Sequence, residues 1–437
     1  MNMEKDEVFL YDLDERPPLG RNIFYGLQCA VLMISSLTIL SALAGAALDL
    51  SALEHIALVQ RMMLISGLSM VVQFFFGHRY PMLEGPSTVA TLTFMALASY
   101  GGPVLEGGMI AGGAALLIIG LFNLLRHAER LFTANVTGVV ILLIALSIIT
   151  KIYPKMAGIT PEVPAGQPLA LILALVVLAI VCLFTMTLGG IWRSLAILLG
   201  MGAGYLLCTY FGMVDFASIR RASWHALPEI LPFGPPRFFL PAVISFIFAY
   251  LVVLTNFLGS IYGMAEVFQH RNLGDRIRRG LGVTGGAGLL AGLGGAIGTV
   301  PFSTSPGVIL ITRVGSHYAQ LACGLIIMAS AFIPKLGAVL ASVPDPVIGG
   351  GFVTILASQL GLGIHTVTRD KTSFTSRDSL VVGLPLILGI AIPLFPAGFF
   401  AQLPLMVGAF LRNGLAVGMM TVMLLEHVIM RGRPEQS

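Results

Sequence analysis

Two short stretches of this 437-residue chain concentrate groups that form directed hydrogen bonds: "LEGPST", Leu83–Thr88, and "PFSTSPG", Pro301–Gly307. The first offers the carboxylate of Glu84 and the hydroxyls of Ser87 and Thr88. The second offers the hydroxyls of Ser303, Thr304 and Ser305 beside the ring of Phe302. Asn256, in "LTNFLGS", adds an amide that donates and accepts at once. Such groups suit a neutral, planar solute, its polar edge met by the hydroxyls and the amide and its ring stacked on Phe302. A dianion would call for Arg or Lys, and neither stretch holds one. Asn256 serves equally well for an interhelical hydrogen bond, and Phe302 as a core side chain. Glu84 either carries a coupling ion or is an edge carboxylate paired with nearby Arg79. Glu266, four residues before His270, is read first as an interfacial ion pair and second as an ion carrier.

The elements that position these groups lie in a bilayer. The chain is 56% hydrophobic and only 11% charged, with a mean hydropathy of +0.91. Soluble domains carry about 25% charged residues. An integral membrane protein is therefore expected, all-α, with about fourteen spans of roughly 20 residues. They are read at about 21–47, 56–76, 84–100, 105–125, 131–150, 168–187, 191–212, 239–262, 280–298, 303–317, 318–340, 345–363, 380–397 and 403–427. With both termini cytoplasmic, most of the 25 Lys+Arg fall inside, among them Arg79, Arg193, the cluster Arg271, Arg276, Arg278 and Arg279, and Arg377. That asymmetry is the positive-inside pattern and places the chain in the cytoplasmic (inner) membrane.

The acidic N-terminus lacks the pattern of a cleavable signal peptide. The four cysteines, Cys29, Cys182, Cys208 and Cys323, sit in apolar segments without metal-ligand spacing, and read as small buried hydrophobes. A net charge of +4 gives no reason to expect a nucleic-acid partner. HExxH, GxSxG and P-loop motifs are absent, so neither an enzyme nor a self-contained ATP-driven pump is expected, and no cofactor.

The two polar stretches also echo one another. Pro86 and Pro306 lie 220 positions apart, and the first and eighth spans start about as far apart. The chain divides into a cytoplasmic tail (1–20), a seven-span repeat (21–212), an extracytoplasmic loop (213–238), a second seven-span repeat (239–427) and a tail (428–437). Odd-numbered repeats invert one half relative to the other. Pro and Gly in the third and tenth spans free backbone N–H and C=O groups, tolerated at membrane depth only where they line protein or a wet cavity. A short extended piece followed by a half-helix is expected in each, with the two N-termini aimed at a common pocket. The Gly-rich ninth span, "GVTGGAGLLAGLGGAIG", would pack closely on its neighbours.

These residues resemble the nucleobase–ascorbate transporter family. "SPGVILITR" looks like its signature, a Gly followed five residues on by Thr-Arg, here Gly307, Thr312 and Arg313. "RPPLG…GLQ" (Arg16–Gln28) and "PDPVIGGG" (Pro344–Gly351) also look like that family, and the likeness runs from about 16 to 430. It implies core and gate domains, a homodimer, and uptake of nucleobases by cation symport, usually with protons. Where the family carries an acid in the eighth span this chain has Asn256, with Ser260 in place of a His one turn on. Where the tenth span opens with Glu or Gln and then Asn, this chain has Thr304 and Ser305. "EGP", "TN" and "PFS" together look like the purine permease branch, which implies xanthine, urate, guanine or hypoxanthine as cargo. A sulfate-type small-anion transporter of the same architecture, or a non-transporting membrane sensor, is the alternative. Arg412 is expected to pair with a helix end or a carboxylate, and Arg313 to anchor the end of the tenth half-helix.

Overall fold

The computed structural model describes residues 9–122, 124, 133–160, 163–270, 273–369 and 374–430. Arg271 and the outer parts of both tails lie outside them. The helices are α1 (Leu19–Ala47), α2 (Ala52–Phe76), α3 (Thr88–Leu97), α4 (Gly102–Leu121), α5 (Ala134–Met156), α6 (Pro168–Thr187), α7 (Gly190–Ser194), α8 (Ala196–Tyr210) and α9 (Phe216–Arg221). The second half holds α10 (Leu240–Val267), α11 (Gly274–Leu293), α12 (Ser305–Thr312), α13 (His317–Ser330), α14 (Pro334–Ala341), α15 (Asp345–Thr368), α16 (Ser376–Ala391), α17 (Ala397–Ala401), α18 (Leu405–Arg412) and α19 (Gly414–Leu424). Two three-residue strands, β1 (Glu84–Pro86) and β2 (Thr299–Pro301), form the one small sheet among the described residues.

Two groups of helices result. The core joins α1–α4 to α10–α13, and the gate joins α5, α6 and α8 to α15, α16 and α19. Within the core, α4 and α11 pack on glycine faces. A Cβ on Gly113 would strike the backbone of Gly288 and Leu289, and one on Gly285 the backbone of Leu117. The gate closes similarly, with Gly138 and Gly363 opposed between α5 and α15. Lys155 donates to Asp345 at 2.5 Å across the same pair of helices.

Among the described residues, eight helices are long and apolar enough to cross a bilayer, or up to ten if each of two bent pairs is one span. The bent pairs correct two expected continuous spans. Residues 318–340 are α13 and α14, set at 91°. Pro334, at the start of α14, has no N–H to continue the ladder, and the buried Gln60 Nε2 donates to the freed Ala331 O at 2.8 Å. Residues 403–427 break at 92° between α18 and α19, where Asn413 Oδ1 caps α19 by accepting from Ala416 N. The ninth span ends earlier than expected, at Leu293, because residues 294–298 lead into β2. Residues 213–238, which join the two halves, carry α9.

Residues 9–18, before α1, are docked on the chain that follows α12. Gly315 N donates to Tyr11 O, His317 N to Leu13 O and Ser316 Oγ to Glu15 O. Of the cysteines, Cys208 and Cys323 are buried as expected, whereas Cys182 is exposed on α6.

Candidate functional site

The site is built from the backbone outward. β1 and β2 pair antiparallel, with Glu84 opposite Pro301, Gly85 opposite Val300 and Pro86 opposite Thr299. The pairing extends by one bond at each end: Ser87 N donates to Gly298 O and Phe302 N to Leu83 O, both at 2.8 Å. Because the strands run in opposite directions, α3 and α12 leave the crossing in opposite directions and both begin beside it. Helix N-termini carry free N–H groups and a partial positive charge. The expected extended pieces and half-helices in the third and tenth segments are thus present.

Next come the side chains. Ser303, Thr304 and Gly307 are exposed on one side of the crossing, and Asn256 and Gly259 on the facing stretch of α10. Cβ atoms at Gly259 and Gly307 would meet nothing within 4 Å, so the space beside them is open. One turn after Asn256, Ser260 Oγ lies 3.2 Å from Pro301 O and 2.9 Å from Asn256 O and ties α10 to β2. One further turn on, Gly263 lets α10 approach Pro306. The ring of half-buried Phe302 lies against Gly85, where a Cβ would collide with its Cζ. Thr88 is half-buried at the first position of α3.

Other predicted residues are held by the backbone. Ser305 is buried and its Oγ accepts from Leu83 N at 3.1 Å. Ser87 is buried and caps α3, accepting from Ala90 N. Glu266 is exposed near the end of α10, and among the described residues no ion pair to it forms. Arg313 ends α12 in the left-handed conformation, φ 58°, and its carbonyl accepts from Leu10 N. Arg412 stands at the α18–α19 break, its guanidinium 5.3 Å from the Phe400 ring centroid and 3.4 Å from Ser99 Oγ.

Glu84 departs from the edge-carboxylate reading. It is wholly buried, and its partners are Ser69 Oγ on α2 and His78 Nε2, the latter at 3.1 Å. Arg79 instead donates to Phe75 O. Tyr80 N donates to His78 Nδ1 at 3.0 Å, which leaves that nitrogen as an acceptor and the proton on Nε2, facing the carboxylate. Ser69 in turn accepts from Thr299 Oγ1 of β2 at 3.3 Å. Both His78 and Ser69 escape a reading of the sequence, for α2 carries no periodic mark that singles out Ser69, and His78 lies in an irregular turn.

Two discontinuous helices meeting at a strand crossing, in a fold divided into core and gate, are the architecture of a membrane transporter. The chain belongs to the Permease family, whose model matches residues 20–398, the nucleobase–ascorbate transporter family that its motifs resemble. It is 27% identical to the uric acid permease PucK of Bacillus subtilis over 94% of this chain and 96% of that protein. It is 26% identical to the uric acid transporter UacT of Escherichia coli (93% and 85% covered), and 25% to the xanthine permease of Bacillus subtilis (94% of each). These are permeases, not enzymes. Among solved structures, the transmembrane domain of the cyanobacterium bicarbonate transporter BicA matches with a TM-score of 0.66 at 15% identity, covering 88% of this chain and 98% of that one. The murine anion transporter Slc26a9 in its inward-facing state gives 0.60 at 12%, covering 94% and 68%. At such identities the likeness is one of fold: seven plus seven inverted repeats, divided into core and gate.

Proposed function

We propose that this protein is a nucleobase permease that carries purines such as xanthine, urate, guanine or hypoxanthine by alternating access. The observation that carries the reading is the chemistry at the crossing. Asn256, Ser303 and Thr304 are uncharged, exposed toward open space, and grouped beside two half-helix N-termini. Phe302 supplies an aromatic face. This set hydrogen-bonds a flat heterocycle without requiring a formal charge on it. The named relatives, uric acid and xanthine permeases, support the same class.

Cation symport, with protons, follows from Glu84. A carboxylate at membrane depth is costly, and such groups mark ion pathways. Glu84 sits in the strand that faces β2, so protonation there acts directly on the crossing that presents Thr304. Both termini are placed on the cytoplasmic side of the inner membrane, where the Arg-rich loops belong, and the family resemblance supports a homodimer.

The test is uptake of radiolabelled xanthine, guanine, uracil and sulfate into proteoliposomes, with and without a pH gradient. Purine uptake that collapses with a protonophore supports the proposal. Uptake of sulfate alone replaces it with the small-anion reading, and purine binding without flux replaces it with a sensor.

A further inference from the structure

The gate meets the core through α1, α3 and α10. A separate groove lies between α2, α4 and α11, a cavity of about 720 Å³ walled by apolar side chains such as Ile65, Val72, Leu117 and Val283. Its floor includes Gly286, where a Cβ would meet nothing within 4 Å. Its rim carries the exposed side chains of Phe76, Leu121 and Leu290. At one end stand Arg278 and Arg279, both exposed. Among the described residues, Arg278 has only a loose ion-pair partner in Asp275, 3.7 Å away on the same helix.

We propose that this groove is a binding site for one anionic phospholipid, an acyl chain lying along the glycine floor and the phosphate held by Arg278 and Arg279. Length fits: from Arg279 to Leu293 α11 rises about 21 Å, enough for the about 15 Å of hydrocarbon in one leaflet. Charge fits as well, since a guanidinium fork matches a phosphate, and two arginines at one end set the headgroup level. A helix from a second copy fits less well. It would take the two guanidiniums out of water at a desolvation cost that a lipid phosphate offsets directly. The proposal stands independently of which solute the crossing carries.

The full-length protein is reconstituted in vesicles of phosphatidylcholine mixed with phosphatidylglycerol, re-extracted, and its retained lipid identified by native mass spectrometry. Phosphatidylglycerol is expected to be retained over phosphatidylcholine by about tenfold or more. Arg278→Gln with Arg279→Gln, two exposed changes, should abolish that preference. Gly286→Leu should fill the floor and lower retention of both lipids. Equal retention of the two lipids by the unaltered protein, or undiminished phosphatidylglycerol in both variants, overturns the proposal. So does conversion of a dimer to a monomer by Gly286→Leu, which would give the groove to a second copy.

Discussion

His78 Nε2 lies 3.1 Å from Glu84 Oε1, with both side chains wholly buried. Since His78 Nδ1 accepts from Tyr80 N, the imidazole is neutral and the carboxylate has no cationic partner in its immediate contacts. The buried carboxylate is thus held by two donors, the His78 Nε2–H and the Ser69 hydroxyl.

Glu84→Gln keeps the shape of this cluster and removes the titrating group. Purine binding at equilibrium should persist, while uptake should lose its dependence on a pH gradient in proteoliposomes. Gradient-driven accumulation equal to that of the unaltered protein would remove Glu84 from coupling. Glu84→Ala differs: it leaves the His78 N–H and the Ser69 hydroxyl buried without an acceptor, at about 1–3 kcal/mol each. Its thermal unfolding in detergent should fall below that of Glu84→Gln.

Gly85 and Phe302 form a second coupled pair. A methyl at Gly85 collides with the Phe302 ring, so Gly85→Ala should cost about 1–3 kcal/mol and displace the ring from the pocket. Phe302→Ala in the same chain should recover the lost stability. Additive losses in the double variant would mean that the ring does not rest on Gly85.

The polar residues divide by what already holds them. Asn256→Ala and Thr304→Ala should each weaken xanthine binding about threefold to tenfold, one neutral hydrogen bond apiece. Ser305→Ala should act on stability instead, because its Oγ accepts from the buried Leu83 N. Scintillation proximity binding beside thermal unfolding separates the two effects. Unchanged affinity in both Asn256→Ala and Thr304→Ala would move the site elsewhere.

The sequence carries the crossing openly, since Pro and Gly beside hydroxyls at the same offset in each half admit few other arrangements in a bilayer. The strand–helix form of the third and tenth segments and the inversion of the halves are legible for that reason. The bends at Pro334 and Asn413 are less so, because hydropathy runs through them unbroken while their hydrogen bonds are settled by distant groups such as Gln60. The same limit applies to Glu84. Its neighbour Arg79 is evident from spacing, but its actual partners come from the end of α2 and the irregular turn after it. Ser87 and Ser305 were equally plausible as ligand groups, and only the fold shows their hydroxyls turned onto the backbone.

Adjacent glycines on α11 offer the sharpest contrast. Gly285 faces α4, and a Cβ there would strike the backbone N of Leu117, which cannot rotate aside. Gly285→Ala must therefore push the two helices apart and give up close packing along their length, a loss of about 1–3 kcal/mol. Gly286, one residue on, points into the open groove, with nothing within 4 Å of a Cβ. Gly286→Ala meets no obstacle and gains the better helix propensity of alanine, up to about 1 kcal/mol. Thermal unfolding in one detergent should thus shift down for the first variant and stay level or rise for the second. If both fall alike, α11 is not seated on α4 by the face that carries Gly285, and the packing of the core would have to be redrawn.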